Sequence, residues 1–220
     1  MITRRLRLLA CVIFLGAILT GPALSADDHS RARTLFTLCT ACHGQKAEGN
    51  PALMAPSLAG MPAWYTSRQI EKFNAGLRGN HPKDVHGMQM RSMARLLTTS
   101  NDIAAVAAFL EDMKPRAGKR EVRGDPDAGK TAYITCMACH GPNAEGNPLT
   151  GGPPLRHLED WYFMAQIKKY QQGIRYADPV RDPQGATMAA IAPLLQDDQM
   201  VKDIITYIRT IPVPVPPETK

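Results

Sequence analysis

Apolar residues recur at intervals of three and four over residues 63–74 and 160–172, and Ile103, Val106, Ala107 and Leu110 trace a stripe along residues 101–113. That spacing lines one face of an α-helix. A further terminal helix is predicted over 198–210, and shorter first helices over 31–38 and 128–135, with Asp125 or Asp127 placed to cap the latter. The middle helices should stop near Gly76 and Gly173. No stretch alternates polar and apolar positions as a half-buried strand would, so the pattern predicts an all-α fold.

The helical pattern occurs twice. At an offset of 97, Cys39, Cys42, His43 and Gly44 fall on Cys136, Cys139, His140 and Gly141, and AEGNP at 47–51 falls on AEGNP at 144–148. The match runs on through Pro56 with Pro153, Leu58 with Leu155, Trp64-Tyr65 with Trp161-Tyr162, Gln69 with Gln166, Gly76 with Gly173 and Arg78 with Arg175. Past a variable stretch the offset becomes 98, pairing Met90 with Met188 and Leu96-Leu97 with Leu194-Leu195. One duplication with a single inserted residue, in the loop around 178–185, accounts for all of this.

Arg4, Arg5 and Arg7 followed by an apolar run over 8–19 and small residues to Ala26 form the pattern of a secretory signal peptide, expected to be cleaved after Ala26. A run of about twelve residues falls short of the roughly 20 that span a bilayer. The expected organisation is a signal peptide over 1–26, a first domain over 27–116, a charged linker over 117–125, a second domain over 126–213 and a proline-rich tail over 214–220.

Composition adds a constraint. Only 6% of residues are aromatic, while glycine and proline number 17 and 18, so two cores of this size need something besides side chains to fill them. The formal charge of +6 includes the three leader arginines, leaving +3 without them. No basic cluster is interleaved with aromatics, so no nucleic-acid partner is expected.

Five cysteines resolve into Cys11 in the leader and two pairs, CTACH at 39–43 and CMACH at 136–140. Cysteines three apart lie on the same side of one helical turn, placed to add to the two vinyl groups of a porphyrin. The histidine that follows, His43 or His140, comes under the ring as an iron ligand, so the motif reads as c-type haem attachment. Zinc ribbons set such pairs about 15 to 20 residues apart, unlike the near-domain separation here. Two covalently bound haem c groups are therefore expected on Cys39, Cys42, Cys136 and Cys139.

The repeat nominates Met90 and Met188 as the opposite iron ligands, with Met88 the close rival in the first half; Met93 aligns with Ile191 and reads as core, as do Met54, Met113, Met164 and Met200. His81 and His86 have no counterparts and read as exposed loop positions, and His29 and His157 as surface residues. Trp64, Tyr65, Trp161 and Tyr162, with Arg78 and Arg175, are candidates to contact haem propionates. His-Met ligation leaves iron no open position, so outer-sphere electron transfer is expected, with no catalytic residue.

With CTACHGQKAEGN, PSLAGMPAWYTSRQIEKFNAGLR and CMACHGPNAEGNP in view, the chain resembles the class I cytochromes c, and specifically the two-domain cytochrome c4 family. The resemblance implies two tandem helical domains with their haem-bearing faces turned toward each other, in a periplasmic electron carrier often associated with the membrane. Implied partners are a quinol-oxidising complex or dehydrogenase as donor and a terminal oxidase or reductase as acceptor. The alternative expectation is the haem electron-transfer subunit of a flavocytochrome-type dehydrogenase.

Overall fold

The computed structural model describes residues 26–115, 121–175 and 178–212. Apart from Ala26, the expected signal peptide lies outside the described residues, as do positions 117–120 of the expected linker and the tail over 214–220. Each half is four α-helices: α1 (Ala26–His43), α2 (Ala63–Asn74), α3 (Val85–Ala94) and α4 (Ser100–Glu111), then α5 (Pro126–His140), α6 (Asp160–Gln171), α7 (Pro183–Ile191) and α8 (Asp198–Thr210). Among the described residues there is no strand, only the isolated bridges Asn50 to Ala55 and Asn147 to Gly152. No described helix is long and apolar enough to cross a membrane.

The helix boundaries follow from local chemistry. Asp125 caps α5 by accepting from the N–H groups of Asp127 and Ala128, with Pro126 as the first helical residue. Thr99 caps α4 through the N–H of Asp102 and Asp197 caps α8 through that of Met200. The first helices run further than the pattern suggested, since α1 and α5 continue through both CxxCH motifs and end on the histidines. Their last turns are rich in polar and small residues, which hides a hydrophobic stripe.

In the first domain α1 packs on α4, and α2 on α3 and α4; in the second α5 packs on α8, and α6 on α7 and α8. Ile103, Val106, Phe109 and Leu110 of α4 meet Phe36 of α1 and Ile70 and Phe73 of α2 in the first core. Val201, Ile204, Ile205 and Ile208 of α8 meet Tyr133, Phe163 and Ile167 in the second. Gly129 lets α5 cross α8 closely, for a Cβ there would overlap the Asp203 carbonyl.

The two domains are fastened differently. Arg31 of α1 reaches Asp102 of α4, with Nε at 2.7 Å and a terminal nitrogen at 2.6 Å. In the second domain Arg209 of α8 holds the buried Asp160 at the start of α6. The second oxygen of Asp160 accepts from the N–H groups of Glu121 and Val122 at 2.9 and 3.2 Å. Residues 121–125 are thus docked on the second domain, and Val122 packs against its core.

Candidate functional site

Both CxxCH motifs close into the same backbone knot. In each, the loop glycine donates back to the histidine carbonyl, Gly49 to His43 and Gly146 to His140, both at 2.8 Å. Ala47 and Ala144 sit fully buried in the left-handed region, at φ 53° and 55°, and Gly49 and Gly146 follow at 82° and 84°. Such left-handed backbone is what glycine tolerates and most residues resist, which explains the glycine repeated at positions 49 and 146. Its glutamate accepts from the N–H two residues before (Lys46 to Glu48, Asn143 to Glu145) and its asparagine from the N–H two residues after. The motif is a scaffold for the histidine, a role the sequence had not assigned.

The knot sets the histidine ring. His43 Nδ1 lies 2.7 Å from the Pro56 carbonyl oxygen, and His140 Nδ1 lies 2.8 Å from that of Pro153. A carbonyl only accepts, so Nδ1 carries the hydrogen and donates, leaving Nε2 as a lone-pair donor for a metal. Burial pushes both imidazoles below the usual histidine pKa, favouring the neutral form that ligates. The aligned Pro56 and Pro153 are second-layer orienting groups of the kind metal-bound histidines use.

The thiols are not poised for disulfide chemistry. Burial, reinforced by the neighbouring Cys42 or Cys139, pushes Cys39 and Cys136 up to about 11. Reactive CxxC pairs depend on a lowered thiol pKa.

The nominated methionines lie on two short helices, α3 and α7, which the apolar pattern does not predict. Asp84 caps α3 by accepting from the N–H of Gly87, and Asp182 caps α7 through Gly185. Gly87, Met90 and Ala94 share one face of α3, and Gly185, Met188 and Ala192 repeat the spacing from α7 onward. Met90 and Met188 pack against the cores that also hold Cys39 and Cys136. Met88 and Met93 are each 38% exposed, and Met54 is exposed as well, so the core reading of Met93 and Met54 does not hold. Met113, Met164 and Met200 pack against the cores. His86 is exposed, though on α3 and not on a loop.

In the second domain these parts face a single cleft of about 1120 Å³ counted to its open mouth, lined by Cys136, Cys139, His140 and Met188 with Leu155, Phe163 and others. Tyr65, Gln69 and Lys72 of the first domain complete its wall. A mostly apolar slot whose lining includes both the His140 imidazole, its Nδ1 held by Pro153, and the Met188 thioether fits a haem covalently held at the cysteines. Trp161, next in sequence to the cleft-lining Tyr162, has Nε1 buried without a hydrogen-bond partner, a donor left to be satisfied.

The other nominated residues gather where the domains meet. Arg78 donates to Gln69 at 2.8 Å and across the interface to Gln166 at 3.4 Å; Arg175 donates to Gln166 at 2.9 Å and across to Gln69 at 3.2 Å. The Tyr162 hydroxyl feels the charge of both Arg78 and Arg175, and Arg175 interacts with Tyr65, Tyr162 and Tyr170. Burial would raise the Tyr162 hydroxyl, but the guanidinium groups of Arg78 and Arg175 outweigh it and hold it below its ordinary value. Trp64 stands apart from this network, its ring beneath Arg68 and edge-on to Tyr65. The two glutamines were visible only as a matched pair in the repeat.

Two reciprocal ion pairs flank the network. Lys72 reaches Asp182 at 2.5 Å and Lys169 reaches Asp84 at 2.6 Å, each across the domain boundary. Lys72 and Lys169 correspond in the repeat, as do Asp84 and Asp182. The shift from offset 97 to 98 therefore occurs between Arg175 and Asp182. A contact without a repeat counterpart joins Ser57 to Glu159: the N–H of Ser57 donates to Glu159 at 2.7 Å, and the other oxygen of Glu159 is buried without a partner.

The family model "Cytochrome c" matches residues 30–114 and again 126–212. Cytochrome c4 of Azotobacter vinelandii is 29% identical over 206 residues, covering 87% of this chain and 92% of that protein. The thiosulfate dehydrogenase electron acceptor of Stutzerimonas stutzeri (strain A1501) is 31% identical over 184 residues, covering 79% of this chain and 78% of that protein. Among solved structures, reduced recombinant cytochrome c4 from Pseudomonas stutzeri superposes with a TM-score of 0.63 at 24% identity, over 83% of this chain and 98% of that one.

Proposed function

Because the chain belongs to the cytochrome c family, as a two-domain electron-transfer protein of the cytochrome c4 type carrying two covalent haem c groups, we propose that it works in the periplasm. There it shuttles electrons between a quinol-oxidising complex or dehydrogenase and a terminal oxidase or reductase. The carrying observation is the duplicated arrangement of a CxxCH helix end, a proline-oriented imidazole and a methionine-bearing helix, joined through one shared interface.

Haem iron between histidine and methionine supplies reversible one-electron transfer at a raised potential. The chain does the rest. Cys39 and Cys42, and Cys136 and Cys139, hold the rings by thioether bonds, and His43 and His140 offer Nε2 while their Nδ1–H groups stay on proline carbonyls. Met90 and Met188 would supply the second protein ligand to each iron. Leu155, Phe163 and Ile167 keep water from the second cleft, which reduces the reorganisation that a change of charge requires. Tyr65, Tyr162, Arg78, Arg175, Trp64 and Trp161 are proposed to receive the propionates, with the orphaned N–H of Trp161 supporting that role.

Stopped-flow mixing of the reduced protein with a purified terminal oxidase should show both haems oxidised within one encounter series. Failure of either haem to pass electrons would overturn the reading. A second reading, as the haem electron-transfer partner of a periplasmic dehydrogenase, is favoured by the thiosulfate dehydrogenase electron acceptor among its relatives. Copurification with a dehydrogenase in fixed ratio would select it.

A further inference from the structure

The methionine-bearing helices begin at the domain boundary. Asp84 and Asp182 are buried, at 6% and 5% exposure, and each does two things with Oδ1. That oxygen accepts from the N–H of the third helical residue, Gly87 at 3.1 Å or Gly185 at 2.8 Å, fixing the first turn. The same oxygen accepts from a lysine of the opposite domain, Lys169 for Asp84 and Lys72 for Asp182. Glycine lets the carboxylate close on the first turn, since a Cβ on Gly87 or Gly185 would displace it. From Gly87 to Met90 and from Gly185 to Met188 is three residues, so cap and thioether lie on the same helical face about one turn apart.

An ordinary helix cap is set by its own domain. Here its charge is neutralised from outside, and the lysine's grip decides where the carboxylate stands. Lys72 is nearly enclosed, with its side chain 11% exposed against 23% for Lys169. Charge-assisted bonds in such surroundings are short and directional. Arg181, the residue before Asp182, adds a bond to the Ala75 carbonyl at the end of α2, tying the entry to α7 to the first domain a second time.

We infer that Lys72 and Lys169 are positioning residues for electron transfer: each holds, from one domain, the capped helix that presents methionine to the iron of the other. Docking of the domains and methionine ligation are then coupled crosswise. The inference rests on Met90 and Met188 being the iron ligands.

The test uses the full holoprotein and the methionine-to-iron charge-transfer band of each ferric haem, assigned with Met90→Ala and Met188→Ala, together with the two midpoint potentials. In Lys72→Met, the fraction of second-domain haem lacking the band should rise by about tenfold, the factor expected from losing one hydrogen bond to a charged group. Its potential should fall, because methionine ligation raises it. The first-domain haem should keep both its band and its potential. Asp182→Asn, which can still cap, should reproduce Lys72→Met; Asp182→Ala should exceed it, and Lys72→Arg should restore the wild-type band. Lys169→Met should mirror the effect on the first-domain haem, more weakly. If Lys72→Met does not fold, Asp182→Asn reads the same coupling from the other end. Equal changes at both haems, a change confined to the first, or an unaltered second-domain band in a folded Lys72→Met protein would overturn the inference. If Met188→Ala keeps the second-domain band, the ligand assignment falls and the proposal with it, a failure distinct from a methionine ligand that ignores Lys72.

Discussion

Replacing Asp160 by asparagine should destabilise the second domain severely although the volume hardly changes. Asp160 is 1% exposed, and its two oxygens accept four hydrogen bonds. Oδ1 takes Nε and a terminal nitrogen of Arg209 at 3.1 and 2.7 Å, and Oδ2 takes the N–H groups of Glu121 and Val122 at 2.9 and 3.2 Å. Asparagine must turn its NH2 toward one of these pairs, setting donor against donor, and it strips the counter-charge from Arg209. Removing one member of a buried pair costs about 3–5 kcal/mol. Arg209 keeps the carbonyls of Arg156 and Leu158 at 2.8 and 2.5 Å and is 15% exposed, which places the loss near the lower end, about 3 kcal/mol. For a domain of under 100 residues that is a fall in Tm of at least about 12 °C. Denaturant titration followed by circular dichroism and by the Soret absorbance should show the second domain unfolding early. Because α6 also carries Tyr162, Gln166 and Lys169, the domain interface should loosen with it. A loss below about 1 kcal/mol, the scale of an exposed pair, would refute the reasoning.

Met90→Ala should abolish the methionine band of one haem while Met88→Ala leaves both, as read by absorbance of the ferric protein; the reverse outcome would exchange their roles. Glu159 provides a pH test. Burial, the largest influence, raises its carboxyl above the ordinary value despite the Ser57 N–H and the charge of Arg209. Its contribution is therefore full below the unfolded pKa of about 4.3 and is lost as pH rises through the higher folded value. Stability measured from pH 4 upward should decline less steeply in Glu159→Gln than in the parent, and identical slopes would contradict the assignment. Gly152→Ala would drive a Cβ into the Cys139 carbonyl oxygen. Haem content per chain should drop from two toward about one as the second CxxCH turn is displaced, which a pyridine haemochrome assay would register.

Much of this architecture could be read from residue order because the apolar stripes of α2, α4, α6 and α8 answer to large side chains at regular spacing. The α3 and α7 helices were not legible for the opposite reason. Their inward positions are Gly87, Met90 and Ala94, or Gly185, Met188 and Ala192, too small or too flexible to make a stripe over nine or ten residues. Asp84 and Asp182, each three residues before a glycine, were the available signal of a helix start. The interface was hidden because Lys72, Gln69, Arg78 and their counterparts have the composition of a solvated surface. Only their pairing through the repeat, residue against matched residue, distinguished them. For Met93, alignment with a buried-type residue, Ile191, says nothing about the side of α3 on which it falls.

The crossed pairing of Lys72 with Asp182 and Lys169 with Asp84 is the geometry of a twofold dimer interface written into one chain. In a true homodimer each substitution at such an interface strikes both halves at once, and the two sites must remain identical. Joining the halves removes that constraint. Each side of each pair can change alone, as Glu159 against Ser57 already has, opposite a repeat position occupied by Pro62. The fused chain can therefore drift toward two unequal redox centres, giving electrons a preferred direction, while retaining the mutual docking that a pair of identical subunits would have to find anew at every encounter.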